Sequence, residues 1–191
     1  MIYPIVAYGH PVLKKKAVKI GPEYPGLKEL IDSMFETMYA SSGVGLAAPQ
    51  INFSIRLFVV DGSPFEDEEP ALKDFKKVFI NPRIMDESGA KWKFNEGCLS
   101  IPGVRDDVDR HPDVYLNYFD ENFVEHKETF TGIAARIIQH EYDHVEGILF
   151  TDRLSPLKKQ LLKGTELEEV LDLRAMTELG VPGGKGLPGG G

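Results

Sequence analysis

A histidine, a glutamate and a second histidine stand at positions 140, 141 and 144, in the run Gln139-His140-Glu141-Tyr142-Asp143-His144. On a helix, histidines four residues apart lie one turn above each other and can grip a single metal ion. The glutamate beside the first then projects next to the same ion, where a bound water would need a base. Two protein ligands are too few for a catalytic centre, which takes about three and leaves one position open. The third has two candidate sources. One is a downstream glutamate, Glu166 or Glu168, as in a metallopeptidase; the other is Cys98, within Glu96-Gly97-Cys98-Leu99-Ser100. Taken alone, one cysteine reads more readily as a small buried hydrophobe than as a ligand. A closed structural zinc site is disfavoured, because it needs a fourth ligand and usually more than one cysteine.

The surrounding pattern indicates how these residues are held. Ile133 and Ile137 share a helical face with His140 and His144, in a segment from Thr131 or Gly132 to about Val145. The histidines therefore point inward, where they and Glu141 are costly unless something satisfies them. A second helix is expected over Gly26 to Ala40, from the spacing of Leu27, Leu30, Ile31, Met34, Phe35 and Met38. Strands are expected at Ile55–Val60, Val78–Ile84 and Val114–Phe119, with Asp120-Glu121-Asn122 turning into Phe123–Phe130. Ser155-Pro156 reads as a helix start, and the pattern stays helical to Leu179 with a break near Gly164. Ser63 to Lys77, with Glu66, Asp67, Glu68 and Glu69 near its start, reads as a solvated surface loop.

Strands grouped together rather than alternating with helices indicate an α+β fold. Mostly antiparallel sheets are expected to pack around a central metal-binding helix, with a C-terminal helix beyond. One catalytic domain is expected over residues 1–179. The glycine- and proline-rich residues 180–191 read as a flexible tail.

At 42% hydrophobic and 27% charged residues, the composition is that of a folded domain rather than a disordered chain. A formal charge of −8 argues against a nucleic-acid binder and against attraction to anionic membrane. No apolar run approaches the roughly 20 residues needed to cross a bilayer. The start, Met1-Ile2-Tyr3-Pro4-Ile5-Val6, lacks a signal-peptide pattern, and a lone cysteine suits a reducing compartment. The expected location is the cytoplasm.

Two further segments bear on the third ligand. Gly43-Val44-Gly45-Leu46-Ala47-Ala48-Pro49 is a run of small residues that ends at Gln50. Small residues let an extended ligand approach the backbone, and a carboxamide offers two N–H donors to a developing oxyanion. Together, Gly43-Val44-Gly45-Leu46-Ala47-Ala48-Pro49-Gln50, Glu96-Gly97-Cys98-Leu99-Ser100 and Gln139-His140-Glu141-Tyr142-Asp143-His144 resemble the three motifs of the peptide deformylase family, in family order. The resemblance covers about Met1 to Leu173.

The resemblance makes Cys98 the third ligand beside His140 and His144. It implies one divalent metal, Fe2+ in cells, with Zn2+, Ni2+ or Co2+ accepted by the purified protein. It implies hydrolysis of the N-formyl group from the initiator methionine of new polypeptides, releasing formate, with Glu141 as general base and acid. Gln50 and the backbone N–H of Leu99 are then the oxyanion donors. Substrate contacts are carried over to Val44, Gly45, Arg105, Ile133 and Ile137. The implied partners are N-formylmethionyl nascent peptides, with room for transient ribosome association and with no nucleic acid or membrane bound.

Three other assignments follow from residue type. Arg136 departs from an often apolar family position and reads as a surface arginine whose stem covers apolar neighbours. Glu96 reads as a structural ion-pair partner of Arg110 or Arg136 rather than a catalytic group. His10, His111 and His126 lie outside the motifs and read as exposed or structural.

Overall fold

The computed structural model describes residues 1–163, except the side chains of 161–163. Glu166, Glu168, the helical pattern expected beyond Lys163 and the tail from Gly180 therefore lie outside the described residues. The chain divides into two units, Met1–Leu154 and a second beginning at Ser155.

In the first unit, β1 (Gly45–Ala47), β2 (Leu57–Asp61), β3 (Lys76–Ser88), β6 (Asp113–Phe119) and β7 (Glu125–Thr131) form one antiparallel sheet, ordered β1-β2-β3-β6-β7. Strands β4 (Trp92–Cys98) and β5 (Ile101–Arg110) form a separate antiparallel hairpin inserted between β3 and β6. Helix α1 spans Leu27–Ala40 and α2 spans Gly132–Glu146. In the second unit, α3 (Pro156–Lys163) starts at Ser155, whose Oγ accepts the N–H of Lys158 at 3.3 Å.

Strand β2 shows why the two helices end on opposite faces. Its run Leu57-Phe58-Val59-Val60 is fully buried, and alternate side chains point to opposite sides of the sheet. Leu57 and Val59 join Leu30, Ile31, Met34 and Met38 of α1. Phe58 and Val60 join Phe79, Leu116 and Phe130, and with them Ala135, Ile138 and Val145 of α2. Phe79 stacks on Phe58 with centroids 4.7 Å apart and meets Tyr118 at 4.5 Å. This aromatic platform fixes the helix that carries the histidines.

Three strands went unanticipated. β1 is only three residues of small side chains, too short to show an alternation. β4 and β5 look polar because the buried Glu96 and Arg110 interrupt their inward positions, leaving only Ile101 and Val108 as fully buried apolar residues on the two strands. The expected solvated loop at Ser63–Lys77 is also corrected. It contains 3-10 turns at Ser63–Phe65 and Pro70–Leu72, and Leu72 is completely buried. Its acidic start hid two anchoring apolar residues.

On the sheet, Glu128 of β7 accepts from the Tyr118 hydroxyl and, at 3.2 Å, from Lys77 Nζ. Burial acts to raise its pKa, but these donors hold it below the ordinary value of 4.5. Its stabilising contribution is present above that value and is lost as pH falls through the lower, folded-state value. The melting-temperature gap between wild type and Glu128→Gln should therefore be widest near neutrality and close in acid. A gap that stays constant from pH 7 to pH 3 would contradict this.

Candidate active site

Helix α2 carries the first three chemical groups. Its apolar side packs on the sheet, and the four-residue spacing brings the His140 and His144 rings to 5.1 Å between centroids. Glu141 and His144 are buried, while the His140 side chain is 11% exposed. Glu141 Oε2 is buried and has no hydrogen-bond partner. Burial is the leading cause that pushes its carboxyl up to about 7. A carboxyl so placed can both take and return a proton near neutral pH.

The hairpin supplies the fourth group. Cys98 ends β4, and a register shift between Gly97 and Cys98 precedes the turn at Leu99-Ser100. Cys98 Sγ lies 3.3 Å from His144 Nε2. One ligand atom each from Cys98, His140 and His144 lies within 4.8 Å of the others. A thiol and two imidazoles converging in this way suit a divalent transition metal.

Beneath the ligands, Glu96 anchors the hairpin to the helix. Its carboxylate accepts from Arg110 Nε at 2.7 Å and Nη2 at 3.0 Å, from Arg136 Nη1 at 3.2 Å, and from His140 Nδ1 at 3.0 Å. Because a carboxylate only accepts, His140 must donate through Nδ1, leaving Nε2 free to ligate. Burial opposes ionisation of Glu96, yet the His140 and Arg110 hydrogen bonds hold its pKa well below the usual carboxylate range. Arg110 continues to Asp143 at 2.8 Å, so both carboxylates share one guanidinium.

Gln50 is supplied by a 3-10 turn at Ala48–Ile51. Its Oε1 accepts the Ala47 N–H at 2.9 Å, which turns Nε2 toward Cys98 Sγ at 3.6 Å and Ser100 Oγ at 3.3 Å. The N-terminal segment ties these parts together: Val6 N–H donates to Gln50 O and Tyr8 N–H to Ser100 O, each at 2.8 Å. Strand β1 is an edge strand, so its outer side can accept another chain. A Cβ on Gly45 would lie 2.4 Å from Glu141 Oε1. Only glycine lets the strand lie this close to the carboxylate.

A cavity of about 470 Å³ opens onto these groups. Val44, Gly45, Gln50, Cys98, Leu99, Arg105, Ile137, His140 and Glu141 all line it. Arg105 is braced by Asn95, through Nε to Oδ1 at 2.8 Å and Nη2 to the carbonyl at 2.9 Å. Ile133 packs instead against the core on the α2 side and is not among the lining residues. Phe65 and Phe94 do line it, though neither was anticipated. Aromatic type was their only signal, and nothing local placed Phe65 near the helix.

Arg136 is a correction. It is 2% exposed rather than superficial, and its guanidinium lies 4.7 Å from the Trp92 ring centroid. Besides Glu96, it donates to Val108 O at 2.9 Å and Trp92 O at 2.6 Å. The buried Glu96 charge and two strand carbonyls draw it inward, stapling both hairpin strands to α2. Glu96 accordingly pairs with both arginines. His10 accepts the Val12 N–H, His111 contacts Gly89 O and His126 contacts Asp120, all structural roles away from the cavity.

An α+β fold with a Cys-His-His cluster, a buried carboxylate beside it and an aimed carboxamide defines a metal-dependent hydrolase. The family model for polypeptide deformylase matches residues 2–160, and the chain belongs to that family. It is 58% identical over 170 residues to the peptide deformylase of Christiangramia forsetii, covering 85% of this chain and 87% of that protein. The crystal structure of a peptide deformylase from Legionella pneumophila superposes with a TM-score of 0.79 at 38% identity, over 92% of this chain and 98% of that one. A Met-Ala-Ser-bound class I type b peptide deformylase from Acinetobacter baumannii gives 0.73 at 34% identity, over 81% and 99%.

If the three converging atoms hold the metal, Cys98→Ala should purify with well under half the wild-type metal content by elemental analysis. Full metal content would instead point to ligands elsewhere in the chain.

Proposed function

We propose that this chain hydrolyses the N-formyl group from the N-terminal methionine of newly made polypeptides, releasing formate, and that the residues gathered around its cavity divide that work as follows. Cys98, His140 and His144 hold one divalent cation, which when bound supplies a Lewis acid that makes water nucleophilic at neutral pH. Glu141 takes the proton of the attacking water at its unpartnered Oε2. It then delivers that proton to the amine nitrogen as the C–N bond breaks. Its raised pKa suits both transfers.

Gln50 Nε2 and the Leu99 N–H donate to the formyl oxygen as negative charge builds there. Such a donor is worth roughly 10²–10³ in turnover. The peptide lies along the outer edge of β1 at Gly45, with its methionine side chain toward Val44 and Ile137 and Arg105 near the mouth. The Met-Ala-Ser bound in the Acinetobacter baumannii structure supports a peptide ligand of this kind. The observation that carries the reading is the convergence of Cys98, His140 and His144 within 4.8 Å, beside Glu141.

The resident metal is proposed to be Fe2+, with Zn2+, Ni2+ or Co2+ accepted by the same His₂Cys donors. The setting proposed is the bacterial cytoplasm, in transient contact with ribosomes that present the nascent chain. None of the described helices is long and apolar enough to cross a membrane. Catalysis is assigned to residues 1–179, with 180–191 as a tail.

Iron-loaded protein, assayed without oxygen, should release formate from formyl-Met-Ala-Ser. Glu141→Ala should keep its metal yet lose at least about 10² in kcat, the scale of general acid–base assistance. Near-normal turnover would remove Glu141 from this role. Truncation after Leu179 should leave kcat/KM within about twofold of wild type, and loss of folding or activity would show that the tail belongs to the domain.

A further inference from the structure

We infer that Phe65, on the acidic segment between β2 and β3, is a specificity-determining residue of the substrate cavity, and that Glu69 is the positioning residue that holds it there. The inference rests on the deformylase reading above and adds to it the chemistry of the side-chain pocket. Phe65 is half-buried, packs against the α2-side core and lines the cavity. Its ring meets Phe94 edge-on with centroids 6.3 Å apart, and Phe94 meets Trp92 in the same manner at 5.4 Å. The family resemblance offers Ile133 for this wall, but Ile133 does not line the cavity. Aromatic groups from the inserted segment and the hairpin supply it.

Glu69 fastens Phe65 to the metal helix. The Phe65 carbonyl accepts the N–H of Glu68 at 3.2 Å and of Glu69 at 2.9 Å, closing a tight turn. Glu69 Oε2 accepts the Ile133 N–H at 2.9 Å, in the first turn of α2. Thr131, at the N-cap, makes no side-chain cap bond, so a carboxylate 64 residues away serves that turn. Gly132 has φ +59°, and a Cβ there would come within 2.7 Å of Glu69 Oε2. The glycine thus permits both the backbone conformation and the carboxylate's approach. Buried Leu72 anchors the segment at its other end.

An aromatic wall beside Val44 and Ile137 suits a thioether, whose polarisable sulfur gains from contact with ring edges. Norleucine has nearly the same shape but carries a methylene in place of sulfur, so it isolates that contact. Wild-type enzyme should favour formyl-Met-Ala-Ser over formyl-norleucine-Ala-Ser in kcat/KM by about 2- to 10-fold. Phe65→Leu, which keeps an apolar side chain but removes the ring, should bring the ratio toward one. Calorimetric binding of Met-Ala-Ser and norleucine-Ala-Ser should change in the same sense. Phe65→Ala should also raise the relative use of formyl-Phe-Ala-Ser by enlarging the cavity.

Glu69→Ala should raise KM for the methionine peptide more than it lowers kcat and should erode the same ratio, whereas Glu69→Gln, which keeps an acceptor oxygen, should restore it. A ratio unchanged in both Phe65 variants, in protein that still releases formate, would overturn the role of Phe65. An unchanged ratio in Glu69→Ala would overturn that of Glu69. Absence of formate release by wild-type protein would overturn the deformylase reading and this inference with it.

Discussion

Everything at this site depends on one buried carboxylate. Glu96 sits on a hairpin strand, yet it accepts hydrogen bonds from Arg110, Arg136 and His140, so strand β5 and helix α2 converge on it. A buried charge is costly unless its lone pairs are satisfied, and removing one partner leaves the rest uncompensated. That cost makes the arrangement all-or-none. With Glu96 in place, the hairpin that carries Cys98 has one seat on the helix that carries His140 and His144. The same carboxylate occupies Nδ1 of His140 and so fixes Nε2 as the ring nitrogen left free to ligate. Hairpin docking and ligand orientation are therefore consequences of a single interaction.

The rest of the fold brings the remaining groups to that seat. The central sheet is covered on both faces, and its α2 side ends at an edge strand whose Gly45 lies against Glu141. Gln50 is held at Oε1 by the Ala47 N–H and at Nε2 by Ser100 Oγ and Cys98 Sγ, so its carboxamide is oriented before a substrate arrives. The N-terminal segment links the Gln50 turn to the hairpin tip, which spaces the two donors assigned to the oxyanion. Glu141 is buried among these contacts with its Oε2 lacking a hydrogen-bond partner, and burial raises its proton affinity. Order around the cavity thus coexists with one unsatisfied oxygen where the chemistry is assigned.

What could be read early followed local rules. Helix α1 and helix α2 announced themselves through 3.6-residue spacing, and β2 through its unbroken apolar run. The hairpin escaped because an inward ion pair takes the place of an apolar alternation. Arg136 was misplaced for a related reason: arginine is normally superficial, and only Glu96, Trp92 and Val108 acting together draw it inside. The acidic segment has the pattern of a solvated loop because its charges outnumber Phe65 and Leu72, the residues that anchor it.

The sequence by itself determined the helix that presents His140, Glu141 and His144, because side-chain direction along a helix depends only on spacing. It also marked Cys98 and Gln50 as chemically apt, through residue type and the motifs around them. Tertiary structure alone decided that Cys98 Sγ reaches His144, that Glu96 binds two arginines and a histidine, and that Phe65 rather than Ile133 lines the cavity. The hydrogen-bonded pairs among these relations join residues 14 to 46 positions apart. Over such distances no local periodicity applies, and the pairing is settled by which buried groups can satisfy one another once the sheet and helices have packed.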